Sequence, residues 1–235
     1  MATDKLLSII IPAYNEGDRI EKSLQSAVDY LKGHGYRFEI IVVDDGSTDD
    51  TVSVASNYEE HVHLLVQPRN MGKGAAVRSG MLEAKGDIRI FTDADFSTPI
   101  YEIEKLIDAI EAGADICIGS RALDASMIKE HQPFYREFMG KTFNKFVQLL
   151  FFKGISDTQC GFKGFTKEAA EKIFPQAKID GFSFDVEILF LASRADLRIE
   201  QVSVEWYNDK RSKVNPIKDS IKMLIELFRI KTLHK

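Results

Sequence analysis

The sequence predicts an α/β protein with a mostly parallel central sheet flanked by helices, Rossmann-like, with an amphipathic helix at its C-terminal end. Three observations carry this. Runs such as Phe38-Glu39-Ile40-Ile41-Val42-Val43 are too continuously apolar and β-branched to be half-exposed, as strands covered on both faces require. These runs alternate with helix-periodic segments, the pattern of βαβ units. Polar residues gather at the carboxyl ends of the runs, where such sheets hold ligands.

Residues 6–12 form the first strand, stopped by Pro12. A helix follows from Glu16 to about Leu31, with Ile20, Leu24, Ala27, Val28 and Leu31 on one face and Gly33-His34-Gly35 ending it. The second strand ends at Asp44-Asp45-Gly46-Ser47, where Ser47 or Thr48 can cap a short helix through Val52 and Ala55. Strands at 62–66, 88–91 and 114–119 alternate with helices at 74–84 and 99–110, Pro99 sitting in the first turn of the latter. Beyond Arg121 come an aromatic-rich segment (134–152), a loop at 157–163, helices near 166–174 and 183–194, a strand at 202–206 and a last helix from Pro216. No internal repeat or low-complexity linker interrupts this order. One domain over 1–215 and an appended helix over 216–235 are expected.

The chain has 235 residues, 44% hydrophobic and 29% charged, ordinary for a soluble globular domain. No apolar run approaches the ~18 residues of a membrane span. Residues 6–11 are too short for a signal-peptide core, so a cytoplasmic protein is expected. Two cysteines, Cys117 and Cys160, make no disulfide framework and no paired metal spacing. The five histidines show no ligand spacing either. Charge is uneven: residues 1–117 hold 11 Lys and Arg against 21 Asp and Glu, whereas residues 207–235 hold 8 against 3. The basic end implies an anionic contact. Without an Arg-rich helix or aromatic RNA-binding motif, that contact is a membrane surface or a phosphorylated substrate rather than nucleic acid.

Asp93-Ala94-Asp95 is the sharpest chemical signal. Two carboxylates at i and i+2 beyond a buried strand can hold a divalent cation against a diphosphate, although the same triplet also serves as a plain acidic turn. Asp44-Asp45-Gly46-Ser47 offers carboxylates to a base or ribose, or equally caps a helix. Asn70-Met71-Gly72-Lys73-Gly74 opens a helix with backbone N–H groups and one ammonium suited to a phosphate. It is neither G-x-G-x-x-G nor a Walker loop, and no G-x-S-x-G elbow is present. Dinucleotide oxidoreductase, P-loop NTPase and serine hydrolase readings therefore have no support. Arg121, Arg136, Arg211 and Lys213 are candidates for gripping a phosphate.

In this order the pieces resemble a family 2 glycosyltransferase of the nucleotide-sugar-binding GT-A fold. The likeness rests on Ser8–Glu16, Val43–Asp49, Asn70–Gly74 and Asp93-Ala94-Asp95. Gly119-Ser120-Arg121, Arg136, Asp157–Lys163, Phe184–Glu187 and Ser212-Lys213-Val214 narrow it towards dolichyl-phosphate β-glucosyltransferases, with dolichyl-phosphate mannose synthases as close cousins. The eukaryotic glucosyltransferases usually carry an N-terminal membrane helix, and none is expected among these residues. The resemblance implies a nucleotide-sugar half (1–120) and an acceptor half (121–215). Pro12, Tyr14, Glu16, Asp44, Asp45, Lys73, Asp93, Ala94 and Asp95 would line the donor site. Asp95, with Asp93, would bind Mg²⁺ or Mn²⁺. Where the mannose synthases have a Gln, this chain has Ser97, at best a weak ligand. Arg121, Arg136, Arg211 and Lys213 would bind the acceptor phosphate, and Asp93, Asp95, Arg121 and Arg136 would form the catalytic set.

The expected partners are UDP-glucose, or alternatively GDP-mannose, and a polyprenyl or dolichyl phosphate. A phosphomonoester already carries a nucleophilic oxyanion near neutral pH and needs no base. A sugar hydroxyl does, and Asp185 is the residue that would serve it, unless it is structural, capping or pairing with an Arg. Displacement would invert an α-linked donor to a β-linked product. A non-catalytic nucleotide-sugar-binding subunit is the remaining alternative, disfavoured by the intact Asp93/Asp95 pair. The last helix places Ile217, Ile221, Leu224, Ile225 and Phe228 on one face among Lys218, Lys222, Arg229 and Lys231. Such a helix can lie in a membrane interface or pack on the protein's own core, and a peripheral protein on the cytoplasmic face of a membrane is the expectation.

Overall fold

The computed structural model describes residues 3–152, 154–209, 211 and 216–235; the side chains at 135, 136, 138, 141 and 216–221 lie outside that description. The chain runs β1 (Leu6–Ala13), α1 (Gly17–Gly33), β2 (Arg37–Asp44), α2 (Thr51–Ser56), β3 (Val62–Val66), α3 (Lys73–Glu83), β4 (Ile88–Thr92), α4 (Ile103–Glu111), β5 (Ile116–Ser120), α5 (Phe134–Leu150), β6 (Phe162–Thr166), α6 (Lys167–Ile173), α7 (Phe184–Arg194), β7 (Ile199–Ser203) and α8 (Pro216–Leu233).

The strands form one sheet in the order β3-β2-β1-β4-β6-β5-β7. β1 pairs in parallel with β2 and β4, Ile9 standing beside both Ile40 and Ile90. From Leu7 onward β1 is wholly buried, because successive side chains enter opposite layers and both layers are covered. Ile10, Ile41, Val43 and Phe91 meet Val77 and Met81 of α3 and Val186 and Leu189 of α7. Ile9, Ile11, Ile40, Val42 and Ile90 meet Ile20 and Leu24 of α1 and Leu106 and Ile107 of α4. Each fully buried aliphatic side chain contributes about 1.5–3 kcal/mol, so the alternation also pins the register.

Three expectations are corrected. Residues 162–166, read as loop and helix start, are β6, a strand antiparallel to both β4 and β5. β7 ends at Ser203 rather than reaching Trp206. Neither Ser47 nor Thr48 caps α2: Ser47 Oγ accepts the Asn15 amide at 2.8 Å, while Asp49 accepts the Thr51 amide at 3.0 Å.

The last helix uses two apolar faces. Met223, Leu227 and Ile230 enter the core beside α7. Lys178 Nζ donates to the Leu233 carbonyl at 2.9 Å, and His234 Nε2 lies 2.6 Å from buried Glu187. Leu224, Ile225 and Phe228, three of the residues expected at an interface, are exposed, the last two at 65% and 66%. The side chains of Ile217 and Ile221 fall outside the described residues. α5 packs against α8 and also exposes Phe134, Phe146 and Leu149. No helix among the described residues is long and apolar enough to cross a membrane.

Candidate active site

The parallel strands β1, β2, β4 and β5 deliver their carboxyl ends to one sheet edge. Antiparallel β6 brings its amino end, and with it Cys160 and Gly161, to the same edge. Two cavities open there. The first, about 410 Å³, is lined by Pro12, Tyr14, Glu16, Asp45, Lys73 and the Asp93–Asp95 triplet, with Gly181, Phe182, Lys222, Met223 and Glu226 opposite. The second, about 290 Å³, is lined by Arg121, Gln159, Asp185, Trp206 and Asn208, and by Gln132 and Gly140 from the α5 side. Lys73, Asp93, Asp95, Phe182 and Met223 line both, so the cavities meet at the acidic triplet.

Asp45 accepts the amides of Met71 and Gly72 at 2.7 and 2.8 Å, which draws the Asn70–Gly74 loop over the first cavity. Burial, with Asp44 adjacent, raises its carboxyl above the usual range against those bonds. Gly72 has φ +107°, and a Cβ there would lie 2.4 Å from the Asp180 carbonyl, so only glycine fits. Asp44, expected in the donor site, is instead fully buried. Its Oδ2 accepts the Gly46 and Ser47 amides at 3.1 Å, holding the turn from beneath.

At the junction, Lys73 pairs with Asp93, and a Cβ on Gly161 would collide with that carboxylate. Asp95 accepts the Ser97 amide at 2.9 Å and lies 3.4 Å from Arg19 Nη1, which also contacts Asp209 at 3.0 Å. Burial and the Asp93 charge raise the Asp95 carboxyl. The next residue, Phe96, takes φ +47°, a left-handed turn costly for a bulky side chain. Among the described residues no cluster of three or more His, Cys, Asp or Glu forms a ligand cage. Two carboxylates open to a shared cavity fit a hard cation that completes its shell with water and phosphate oxygens.

In the second cavity Arg121 is already engaged. Its Nε and Nη2 donate to Asp157 at 2.7 and 2.9 Å, and its guanidinium stacks 5.5 Å from the Trp206 ring centroid. That clamp leaves Nη1 without a bond to Asp157. Burial opposes ionisation of Asp157, but Arg121 prevails and holds its carboxyl below the usual range. Asp185 lies 2.5 Å from Lys163 Nζ, both side chains buried, and Lys163 also donates to the Cys160 carbonyl at 2.5 Å. Burial raises the Asp185 carboxyl, while Lys163 and Lys73 oppose the rise. The pairing expected as the alternative to a base role is therefore present, with Lys rather than Arg. Burial pushes the Cys160 thiol up to about 12, leaving it un-ionised at neutral pH.

Arg211 is not brought into this cavity: it pairs with Asp209 at 2.6 Å and borders a neighbouring surface hollow with Arg19 and Lys22. The Arg136 side chain and Lys213 lie outside the described residues. Sequence reasoning missed Arg19, Asp157 and Asp209, and the wall formed by Phe182, Met223 and Glu226. Arg19 follows Asn15-Glu16 by one helical turn, which could have pointed to it; Asp157 stood in the Asp157–Lys163 stretch without a role given to it, and nothing local marks the others.

The family model for glycosyl transferase family 2 matches residues 8–174. The chain belongs to that family. The family's curated relatives include a dolichyl-phosphate β-glucosyltransferase of Dictyostelium discoideum, 38% identical over 96% of this chain and 73% of its own. That of Saccharomyces cerevisiae is 39% identical over 96% and 74%, and that of Homo sapiens 34% identical over 97% and 75%. Similar solved structures include the UDP complex of Mycobacterium tuberculosis glucosyl-3-phosphoglycerate synthase, with a TM-score of 0.73 at 19% identity, covering 98% of this chain and 82% of that one. A further complex of that enzyme contains Mn²⁺, UDP and glucosyl-3-phosphoglycerate, with a TM-score of 0.68 at 17% identity over 96% and 80%. Mannosyl-3-phosphoglycerate synthase of Rubrobacter xylanophilus gives 0.73 at 17% identity over 97% and 73%. At these identities the structures establish the shared GT-A architecture.

Proposed function

We propose that this glycosyltransferase moves glucose from UDP-glucose to a polyprenyl phosphate of the dolichyl class, with inversion to a β-linked product. The observation that carries the reading is the meeting of the two cavities at Asp93, Asp95 and Lys73. The larger cavity would take the nucleotide sugar, with Tyr14 and Asp45 at the nucleoside end and Lys73 at the diphosphate. The smaller would take the acceptor phosphate, facing the Nη1 edge of Arg121. Likeness over 96% of this chain to dolichyl-phosphate β-glucosyltransferases supports the acceptor class and favours glucose over mannose.

Asp95 and Asp93 would hold Mg²⁺ or Mn²⁺, which when bound offsets the charge building on a departing nucleoside diphosphate. Arg121, preset by Asp157 and Trp206, would orient the acceptor oxyanion in line with the anomeric carbon. Asp185, paired with Lys163, would serve the frame of the site and not take a proton. Transfer of labelled sugar to a short polyprenyl phosphate tests this directly. Metal-dependent product from UDP-glucose is expected. Product only from GDP-mannose would reassign the sugar, and transfer only to hydroxyl acceptors would overturn the acceptor class.

The exposed apolar face of α8 and the basic C-terminal segment support attachment to an anionic membrane surface, where a lipid acceptor resides. Wild-type protein is expected to float with anionic vesicles, and a Leu224→Ser/Ile225→Ser/Phe228→Ser variant to remain at the bottom of the gradient. Equal flotation of both would remove α8 from the contact.

A further inference from the structure

We infer that Glu226 of α8 is a hydroxyl-recognising residue of the donor site, its carboxylate accepting a hydrogen bond from the ribosyl or hexosyl part of the nucleotide sugar. This rests on the donor-site reading of the larger cavity. Glu226 is only 7% exposed and lines that cavity beside Lys222, opposite Gly72 and Lys73. Its Oε2 is shut off from solvent without a hydrogen-bond partner.

A buried carboxylate oxygen with nothing to accept is costly in the ligand-free protein. Buried polar atoms almost always find a partner, and Glu226 sits in the wall of a cavity where a ligand hydroxyl can supply one. The helix cannot readily turn this side chain away. Met223, Leu227 and Ile230 anchor α8 in the core, and His234 is held on Glu187 at its end. Beneath it, a Cβ on Gly181 would lie 3.1 Å from Oε1, so the glycine leaves the carboxylate its room.

Placement and chemistry both favour a hydroxyl. Glu226 stands one helical turn beyond Met223, which lines both cavities and so marks the point of transfer. A uracil edge sets two carbonyl oxygens beside its single N–H, whereas a sugar hydroxyl offers its proton to a carboxylate without flanking acceptors.

Calorimetric titration of wild type, Glu226→Leu and Glu226→Gln with UDP and UDP-glucose in the presence of Mn²⁺, together with thermal midpoints of the ligand-free proteins, tests the assignment. Glu226→Leu is expected to bind UDP-glucose about tenfold more weakly or worse, and its ligand-free midpoint to rise, because a buried polar atom without a hydrogen-bond partner has gone. Glu226→Gln keeps a carbonyl acceptor and recovers part of the affinity. Loss confined to UDP-glucose assigns the hydroxyl to the hexose; equal loss for UDP assigns it to the ribose. Unchanged affinity with a lowered midpoint means a structural Glu226 and overturns the inference alone. A wild type that binds neither nucleotide overturns the donor-site reading and this inference with it.

Discussion

Asp95→Asn is expected to lower kcat for metal-dependent glucosyl transfer by a factor of about 10²–10³, the range for removing one preorganised charge-stabilising contact. The substitution keeps an oxygen that can accept the Ser97 amide, so the turn through Phe96 stays supported. What it removes is the charge that burial and Asp93 already make costly and that a divalent cation would neutralise. The checks are initial rates across a Mn²⁺ series, Mn²⁺-dependent UDP binding by calorimetry, and the thermal midpoint. Lost metal dependence at an unchanged midpoint is the expected result. A variant that turns over at the wild-type rate would leave Asp95 as a turn residue held by Arg19 and Ser97.

Lys163→Met should have the largest effect on stability. Lys163 and Asp185 form a buried pair, with the Phe91 ring centroid 5.3 Å from the ammonium. Deleting the cation leaves Asp185 charged without its partner, at a cost of about 3–5 kcal/mol. At roughly 2–4 °C per kcal/mol for a domain of this size, the midpoint falls on the order of 10 °C. Adding Asp185→Asn removes the stranded charge and should recover much of the loss, a coupling that a double-mutant cycle measures. The double variant also decides the chemistry. Retained transfer to a polyprenyl phosphate means that Asp185 is not a base. Restored stability with transfer abolished would make it one and shift the acceptor to a hydroxyl.

The parallel core was legible because burial on both faces writes itself into sequence as unbroken apolar runs: β1, β2 and β4 stand where those runs stand. β6 was not. Phe162-Lys163-Gly164-Phe165-Thr166 alternates too weakly to signal a strand, because its Lys is buried against Asp185 instead of facing water. In the site, Asp45, Asp93 and Asp95 were legible because they follow strand ends, and together with Lys73 at the start of α3 they line the first cavity. Arg211 did not follow, since its preference for Asp209 two residues back is a local contact that spacing does not rank. Met223 and Glu226 were hidden by the periodicity of α8, which reads as one apolar stripe although the helix has an inward and an outward face.

The antiparallel strand has a consequence for the order in which the protein can be made. β4 has β1 on one side and β6 on the other, and β5 has only β6 and β7 as neighbours. When the first 120 residues have left the ribosome, β5 therefore has no partner and β4 presents an open edge of buried-type residues. That edge stays unsealed until residues 162–166 emerge, and until then the nascent chain is exposed to edge-to-edge association. A long-range pairing of this kind also slows closure of the sheet. The donor and acceptor halves thus share hydrogen bonds through one inserted strand, and the sheet of the first is complete only when the second has been made.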